Sequence, residues 1–452
     1  MTSLDDFTAN VASSGLIEPE ILARHRAALE GQSLAKPALE LANRLIHGGF
    51  LTPYQARKLL EGATRGFFLG GYRLLRPLGE GGMGKVYLAQ GPALDRVAIK
   101  VLPPKKILEE ENALVRFYRE MDLSRRCLHQ NLARTIAVGS EGDVHYMVME
   151  YIAGKSLFDM IKDTRHGPLR VPDAARLFLQ LADGLEAAHL AGLVHRDIKP
   201  SNIMITQTGD VKLLDMGLAR AVDEDAGLTK AGVVLGTLDY ASPEQLRDAA
   251  SADIRSDLYS VGCTLYFALA GQPPFEGGNM INKIFRQRME DPEPVEKFAK
   301  GVPTAFGAIV RKLMNKKPEE RYQNCTELKI DLARWLDPAR LRASLGADAE
   351  AAHAFQPPPP ELLDDDIRLH DSVSDPSGSL SLRDLGSPLP SPPPRRREPP
   401  PPLPASFRPP PSKSRGASRS ISDDSRWLIQ FGIVAALVGI VAIVAISLFY
   451  HS

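Results

Sequence analysis

The sequence predicts an α+β fold in which a strand-rich part is followed by a helical part. Residues 72–150 contain short strand-like segments interrupted by a glycine-rich turn, whereas residues 156–336 mostly show the spacing of helices. More than half of the 36 prolines lie between residues 338 and 411, which marks the end of the folded region. Residues 427–450 form an uncharged, apolar run that predicts one membrane helix at the C-terminus.

The composition excludes several classes of protein. The chain of 452 residues has 55 basic and 55 acidic side chains, a balance that gives no sign of nucleic-acid binding. Its three cysteines lie far apart and form no Cys-x-x-Cys pair, which favours a reducing compartment and no structural metal. The first ten residues are acidic and lack the pattern of a secretory signal.

Residues 1–66 are predicted to form a small helical extension. Leucine and isoleucine recur there at helical spacing, with breaks at Gly48, Gly49 and Pro53. The segment has no residue types suited to chemistry. It is expected to dock on the next domain or on a partner, or to be a purely structural appendage.

A glycine-rich turn joins two predicted strands at residues 72–75 and 85–89. Gly79, Gly81 and Gly84 have the Gly-x-Gly-x-x-Gly spacing, which also occurs in dinucleotide-binding turns. That alternative requires a helix directly after the glycines, but a second strand follows here. The glycines therefore lie at the tip of a hairpin, where backbone amides without side-chain bulk can close over phosphates.

A lysine and a glutamate follow this hairpin. Lys100 lies on a third predicted strand at residues 96–102, and Glu120 lies on a mixed helical pattern at residues 109–128. A lysine that holds two phosphates benefits from a carboxylate that fixes its position. The alternative for Glu120 is a solvated helix face.

The chemistry is centred on residues 195–202, which have the spacing His-Arg-Asp-x-x-x-x-Asn. Pro200 prevents a helix from running through this loop, so Asp197 and Asn202 can converge on one point. A carboxylate at Asp197 can accept a hydroxyl proton, and the amide of Asn202 can bind a metal. Asp215 follows a predicted strand and could bind Mg²⁺ together with Asn202.

These motifs resemble the protein kinase superfamily, and most closely the bacterial eukaryotic-like (Hanks-type) Ser/Thr kinases. The similarity covers residues 72–336 and implies the bilobal protein kinase fold, with a β-rich N-lobe and a helical C-lobe. It implies that Asp197 is the catalytic base, that Lys199 neutralises the γ-phosphate, and that Asn202 and Asp215 bind Mg²⁺. Lys100 would contact the α- and β-phosphates of ATP and pair with Glu120. The nucleotide-binding residues that the resemblance implies are Leu78, Gly79, Glu80, Gly81, Gly82, Met83, Gly84, Lys85, Val86, Ala98, Lys100, Met149, Glu150, Ile152 and Met204.

The resemblance has further consequences outside the nucleotide site. Glu244 and Arg321 match a buried structural ion pair, and Asp257 resembles the residue that steadies the catalytic loop. Arg196, next to the catalytic aspartate, suggests control by phosphorylation, for which Thr229 is the expected site.

Two positions depart from the family pattern. Met216 replaces the phenylalanine of the usual Asp-Phe-Gly triplet, and Ser242 replaces the alanine of the usual Ala-Pro-Glu triplet. Methionine can fill the phenylalanine pocket with looser packing, but neither change removes a charged group.

The C-terminal part is predicted to consist of a disordered linker and a membrane anchor. Residues 337–425 are rich in proline, serine and arginine and cannot bury a core. Residues 427–450 are long enough, at about 1.5 Å per residue, to cross a hydrocarbon core about 30 Å thick. Basic residues, including Arg426, precede this run, so the kinase domain is expected on the cytoplasmic side of the inner membrane.

The sequence thus predicts a single-pass, membrane-tethered Ser/Thr protein kinase that uses ATP and Mg²⁺. Its expected partners are protein substrates and the lipid bilayer, and a homodimer that autophosphorylates in trans is left open. Residues 51–56 and 66–75 look like the lead-in of planctomycete-type kinases. The alternatives are a catalytically silent membrane scaffold, which retention of the charged residues disfavours, and a small-molecule kinase, which the segment 236–244 disfavours because it resembles a peptide-docking segment.

Overall fold

The structure, a computed structural model, describes residues 2–81, 84–93, 95–102, 118, 121, 124–163, 166–215, 238–248, 251–337 and 357. Gly82, Met83, Glu120 and the segment 216–237, which includes Met216 and Thr229, lie outside the described residues. So do the predicted membrane helix and all of the predicted linker except residues 337 and 357. Within the described ranges, no helix combines the length and the apolar character that a bilayer crossing requires.

Four helices occupy the N-terminal region, where the sequence predicted helices. They are α1 (Leu4–Ser14), α2 (Pro19–Ala27), α3 (Pro37–His47) and α4 (Pro53–Leu60). Three of them begin with proline, whose missing N–H costs nothing at the first position of a helix. Their facing sides bury a core of their own, in which Phe7, Val11, Leu41, Leu45 and Leu59 are fully buried.

A six-stranded antiparallel sheet follows, with the strand order β1-β2-β3-β4-β6-β5. The strands are β1 (Phe68–Leu69), β2 (Tyr72–Gly81), β3 (Gly84–Gln90), β4 (Arg96–Val101), β5 (Thr135–Glu141) and β6 (Val144–Glu150). Successive side chains of a strand point to opposite faces. Ile99 and Val148 therefore pack in the cluster on one face, whereas Ala98 and Met149 pack in the cluster on the other.

The remaining elements form the helical part. A small antiparallel sheet consists of β7 (Gly154–Ser156), β8 (Ile203–Thr206) and β9 (Val211–Leu213). The helices are α5 (Leu157–Lys162), α6 (Val171–Leu190), α7 (Ile254–Ala270), α8 (Met280–Met289), α9 (Thr304–Leu313) and α10 (Cys325–Ala333). Helix α7 is buried from Ser256 to Leu269 and forms the centre of this part. The predicted order, a strand-rich part followed by a helical part, is confirmed.

Candidate active site

The loop at residues 195–202 brings Asp197, Lys199 and Asn202 into direct contact. Lys199 Nζ donates to both carboxylate oxygens of Asp197, at 3.0 Å to Oδ1 and 2.8 Å to Oδ2. Asn202 Nδ2 donates to Asp197 Oδ2 at 2.9 Å and to the Asp197 carbonyl at 2.8 Å. The predicted convergence of Asp197 and Asn202 is therefore present. No helix runs through the loop, as predicted, and Pro200 begins only a short 3-10 turn, Pro200–Asn202, which its fixed φ accommodates.

Asp257 on α7 anchors this loop through hydrogen bonds to its backbone. Its fully buried carboxylate accepts the backbone N–H of His195 at 2.8 Å and that of Arg196 at 2.7 Å. His189 Nε2 lies 2.8 Å from the same carboxylate. Arg196 has a φ of 66°, which is unfavourable for a residue with a side chain, and the bond to Asp257 helps to hold it there.

Asp215 follows β9 and is joined to the same loop through the backbone. Leu214 N–H donates to the Asn202 carbonyl at 2.8 Å, and His195 Nε2 lies 2.7 Å from the Leu214 carbonyl. Asp215 has a φ of 55°, a second left-handed residue in this small region. These contacts place Asp197, Asn202 and Asp215 at one site, as the sequence predicted.

Lys100 reaches this site from the six-stranded sheet. Its Nζ lies 2.9 Å from Asp215 Oδ1, and its side chain is almost fully buried. Burial disfavours the ionised form of Asp215, but the charge and hydrogen bond of Lys100 outweigh burial and lower the pKa of the carboxyl group. The contact was not predicted from the sequence, which assigned Glu120 as the partner of Lys100.

The strand register aligns the glycine-rich hairpin with Lys100. Gly79 pairs with Val86 across β2 and β3, and Val86 pairs with Lys100 across β3 and β4. Gly84 has a φ of 124°, a conformation that favours glycine, and pairs with Gly81 where the hairpin closes. The strand pairing thus aligns Gly79, in the turn predicted to cover phosphates, with Lys100, the lysine predicted to bind them.

The other predicted nucleotide-binding residues lie on β2, β3, β4, β6 and β8 and directly after β6. Ala98 pairs with Met149, and both side chains are buried on the same face of the sheet. Glu150 Oε1 accepts from Lys212 Nζ at 2.8 Å and from the Arg134 N–H at 2.9 Å, which fixes the start of the segment that joins β6 to β7. Leu78, Glu80 and Gly81 lie on β2, Lys85 lies on β3, Met204 lies on β8, and Ile152 lies between β6 and β7.

The buried ion pair that the resemblance implied is confirmed. Arg321 Nη1 lies 2.7 Å from Glu244 Oε1, and Nη2 lies 2.9 Å from Oε2. Burial raises the pKa of Glu244, but the Arg321 guanidinium and the Ser256 hydroxyl together lower it to about 2.

Sequence reasoning missed three contacts of the segment 238–245. Gln245 Nε2 donates to the Arg196 carbonyl at 3.0 Å, which joins this segment to the catalytic loop. Lys283 Nζ on α8 lies 2.6 Å from Asp239 Oδ1, and Gln287 Nε2 donates to the Asp239 carbonyl at 2.6 Å. No local pattern marks these residues, because each contact joins elements that are distant in sequence.

The donor set suits magnesium bound together with a phosphorylated ligand. Asn202 and Asp215 offer one amide oxygen and one carboxylate, and Mg²⁺ commonly completes its shell with phosphates and waters. Within the described part of the chain, no cluster of three or more histidine, cysteine, aspartate or glutamate side chains could hold a metal by itself. One amide oxygen and one carboxylate fit a metal that takes its remaining ligands from phosphates and waters.

Comparisons with known proteins find one matching family and several similar proteins. The family model described as protein kinase domain matches residues 72–331. Serine/threonine-protein kinase PknB of Mycobacterium leprae is 38% identical over 268 residues, which cover 58% of this chain and 42% of that protein. The probable serine/threonine-protein kinase PknB of Corynebacterium glutamicum is 38% identical over 273 residues, with the same two coverages. The crystal structure of the PknI kinase domain of Mycobacterium tuberculosis is 24% identical with a TM-score of 0.48, and the likeness covers 59% of this chain and 97% of that one. The chain thus spans less than half the length of the curated relatives it matches.

Proposed function

This chain belongs to the protein kinase domain family, and we propose that it transfers the γ-phosphoryl group of ATP to serine and threonine hydroxyls of proteins. The observation that carries the proposal is the convergence of Asp197, Asn202, Asp215 and Lys100 on one site. The two curated relatives described above are named serine/threonine-protein kinases, which supports the choice of acceptor.

Asp197 is placed to receive the proton of the acceptor hydroxyl. Its carboxylate is held from two sides by Lys199 and Asn202, so its orientation is fixed before a substrate arrives. Lys199 contacts the same carboxylate, and its ammonium group would neutralise charge that develops on a transferred phosphate.

Lys100, Asn202 and Asp215 would bind the nucleotide. Asn202 and Asp215 would hold Mg²⁺, which supplies charge neutralisation to the phosphates when bound. Lys100 contacts Asp215 and lowers the pKa of its carboxyl group, which favours the ionised form that binds a metal. Its ammonium group can also contact the phosphates.

The test is transfer of labelled phosphate from ATP carrying ³²P at the γ-position, with Mg²⁺ and with casein or myelin basic protein as acceptor. The full chain, purified in detergent, is compared with Asp197→Asn. We expect labelling of serine and threonine by the first protein and a loss of about a hundredfold or more in the variant. Equal labelling by both proteins, or none by either, would contradict the proposal.

We also propose that residues 427–450 anchor the kinase domain to the cytoplasmic side of the inner membrane. The support is the absence of charge in this run and the basic residues before it. Alkaline carbonate should leave the full chain in the membrane fraction and release a chain that lacks residues 427–452. Equal extraction of both would argue against the anchor.

Two regulatory features belong to the same proposal. Thr229 is the proposed activating phosphorylation site, and phosphorylation between two copies of the chain is its proposed origin. Asp197→Asn chains incubated with active chains and ATP should acquire phosphate at Thr229 in mass spectra. Active protein in which Thr229 is always unmodified would refute this.

The proposed affinity to planctomycete-type kinases rests on residues 51–56 and 66–75 alone.

A further inference from the structure

The N-terminal helical unit, residues 2–67, contacts the strand that carries the glycine-rich turn. This unit precedes the region matched to the protein kinase family, residues 72–331, and has its own apolar core. Its junction with the sheet includes a set of hydrogen bonds between α4 and β2. These bonds give the unit a specific position on the nucleotide-binding hairpin.

Two side chains of the unit donate to backbone carbonyls of β2. Thr52 Oγ1 donates to the Leu75 carbonyl at 2.6 Å, and Gln55 Nε2 donates to the Leu74 carbonyl at 2.7 Å. Gln55 is fully buried, and its Oε1 accepts from the Thr52 N–H at 3.0 Å and from Arg73 Nη2 at 3.2 Å. Removal of the Gln55 amide would eliminate three hydrogen bonds, those with the Leu74 carbonyl, the Thr52 N–H and Arg73 Nη2.

These donors bind β2 where its own pairing is irregular. Leu74 pairs with Ala89 and Arg76 with Leu88, so Leu75 is an extra residue of β2 and forms a bulge. Strand β1, the outer neighbour of β2, pairs only as far as Arg73. The hydroxyl of Thr52 and the amide of Gln55 therefore cover the edge of β2 just where β1 ends and the bulge begins.

A second contact reaches the other strand of the hairpin. The rings of Tyr54 on α4 and Tyr87 on β3 lie 6.4 Å apart, centroid to centroid. The next residue back, Val86, faces the opposite side of the sheet and pairs with both Gly79 and Lys100. The helical unit thus contacts both strands of the hairpin, and its contact with Tyr87 lies on the face of the sheet opposite Val86.

We propose that the helical unit is a brace for the nucleotide-binding hairpin and that Thr52 and Gln55 are positioning residues for ATP. This inference rests on the proposed kinase function. By fixing the bulge of β2, the brace limits the positions that the strand leading to Gly79 can take. The hairpin therefore loses less conformational entropy when the nucleotide binds.

Two substitutions at Thr52 distinguish its hydrogen bond to the Leu75 carbonyl from its role as the N-cap of α4. Thr52 also accepts the N–H of Gln55 as the N-cap of α4. Thr52→Asp keeps the cap but cannot donate to the Leu75 carbonyl, whereas Thr52→Ser keeps both functions. Thr8→Val is the matched control, because the Thr8 hydroxyl bonds to the Leu4 carbonyl inside α1, away from β2.

The measurement is the Kd of the full chain for a fluorescent ATP analogue with Mg²⁺, together with KM for ATP and kcat. We expect Thr52→Asp and Gln55→Leu to raise Kd and KM about fivefold or more, as the loss of a buried hydrogen bond would, with kcat changed by less than about twofold. Thr52→Ser and Thr8→Val should resemble the parent chain.

Two results would overturn the brace. One is an unchanged Kd in both Thr52→Asp and Gln55→Leu, and the other is an equal rise in Thr8→Val, which would point to general destabilisation. Failure of the kinase proposal has a different signature, because the parent chain would then transfer no phosphate to any acceptor.

Discussion

At the scale of single residues, the site consists of acidic groups that are each held by a cation or an amide. Asp197 is held by Lys199 and Asn202, and Asp215 is held by Lys100. Charge-assisted bonds of this kind are stronger than neutral ones and fix geometry. The carboxylates are thus oriented in the protein itself, before nucleotide or substrate adds its own contacts.

Asn202 has two roles in this arrangement, and its removal should be costly. Asn202→Ala removes a proposed metal ligand and both bonds to Asp197, so we expect the rate of phosphate transfer to fall about a hundredfold or more. Gln207→Ala is the control, since Gln207 is exposed at the other end of β8. Initial rates with labelled ATP provide the measurement. A fall of less than about threefold in Asn202→Ala would contradict the role given to this side chain.

The sequence predicts such residues when their chemistry depends on a local motif. Asp197, Lys199 and Asn202 lie within one short loop, so their spacing already indicates convergence. The contact of Lys100 with Asp215 could not be predicted in the same way, because it depends on how two lobes meet. The bond from Gln245 to the Arg196 carbonyl is a further example.

At the scale of elements, α7 supports the catalytic loop. Its Asp257 binds two consecutive N–H groups of the loop, and its His189 contact joins α6 to the same carboxylate. A buried helix can provide such a fixed reference because its side chains are packed on every side. The left-handed backbone of Arg196 depends on this support.

Replacing Asp257 should therefore affect stability and catalysis together. Asp257→Asn retains the shape but loses the charge and one acceptor, so we expect unfolding to become easier by about 2 to 3 kcal/mol and transfer to slow. Asp253→Asn, at the N-cap of the same helix, should change stability by less than about 1 kcal/mol, because asparagine caps equally well and the partly exposed ion pair of Asp253 with Arg255 contributes little. Chemical denaturation and initial rates measure the two effects. Similar results for both variants would remove the special role of Asp257.

Elements with a clear period were predicted better than their boundaries. The strands predicted at residues 85–89 and 96–102 are close to those observed. Strand β2 is longer than predicted and runs to Gly81, because two bulges let it continue past Pro77. Such bulges depend on the pairing with β3, which the sequence of β2 alone does not show.

At the scale of the whole molecule, Glu244 and Arg321 tie the segment 238–248 to the last helices. Arg321 also donates to the carbonyls of Arg255, Asn315 and Lys316, so the pair joins several segments in one network. A buried pair of this kind is costly to break because one charge is left without its partner.

The pair should make stability depend on pH in the acid range. The pKa of Glu244 is lowered to about 2 from an ordinary 4.5, so its contribution is complete above pH 4.5 and is lost as the pH falls towards 2. That interval corresponds to roughly 3 kcal/mol of unfolding free energy. Denaturation of the parent chain and of Glu244→Gln between pH 5 and pH 2.5 provides the measurement. The parent should lose more stability than the variant, and parallel curves would contradict the assignment.

The most direct test of the central claim, that Lys100, Asp197, Asn202 and Asp215 form one phosphate-transfer site, compares two aspartates near the ends of β9. Asp215→Asn changes the carboxylate that contacts Lys100, whereas Asp210→Asn changes an exposed carboxylate that contacts Thr208. The measurement is the rate of ³²P transfer from ATP at increasing Mg²⁺. We predict a loss of about a hundredfold or more in Asp215→Asn that added Mg²⁺ does not fully restore, with no loss in Asp210→Asn. Equal rates in the two variants would contradict the claim.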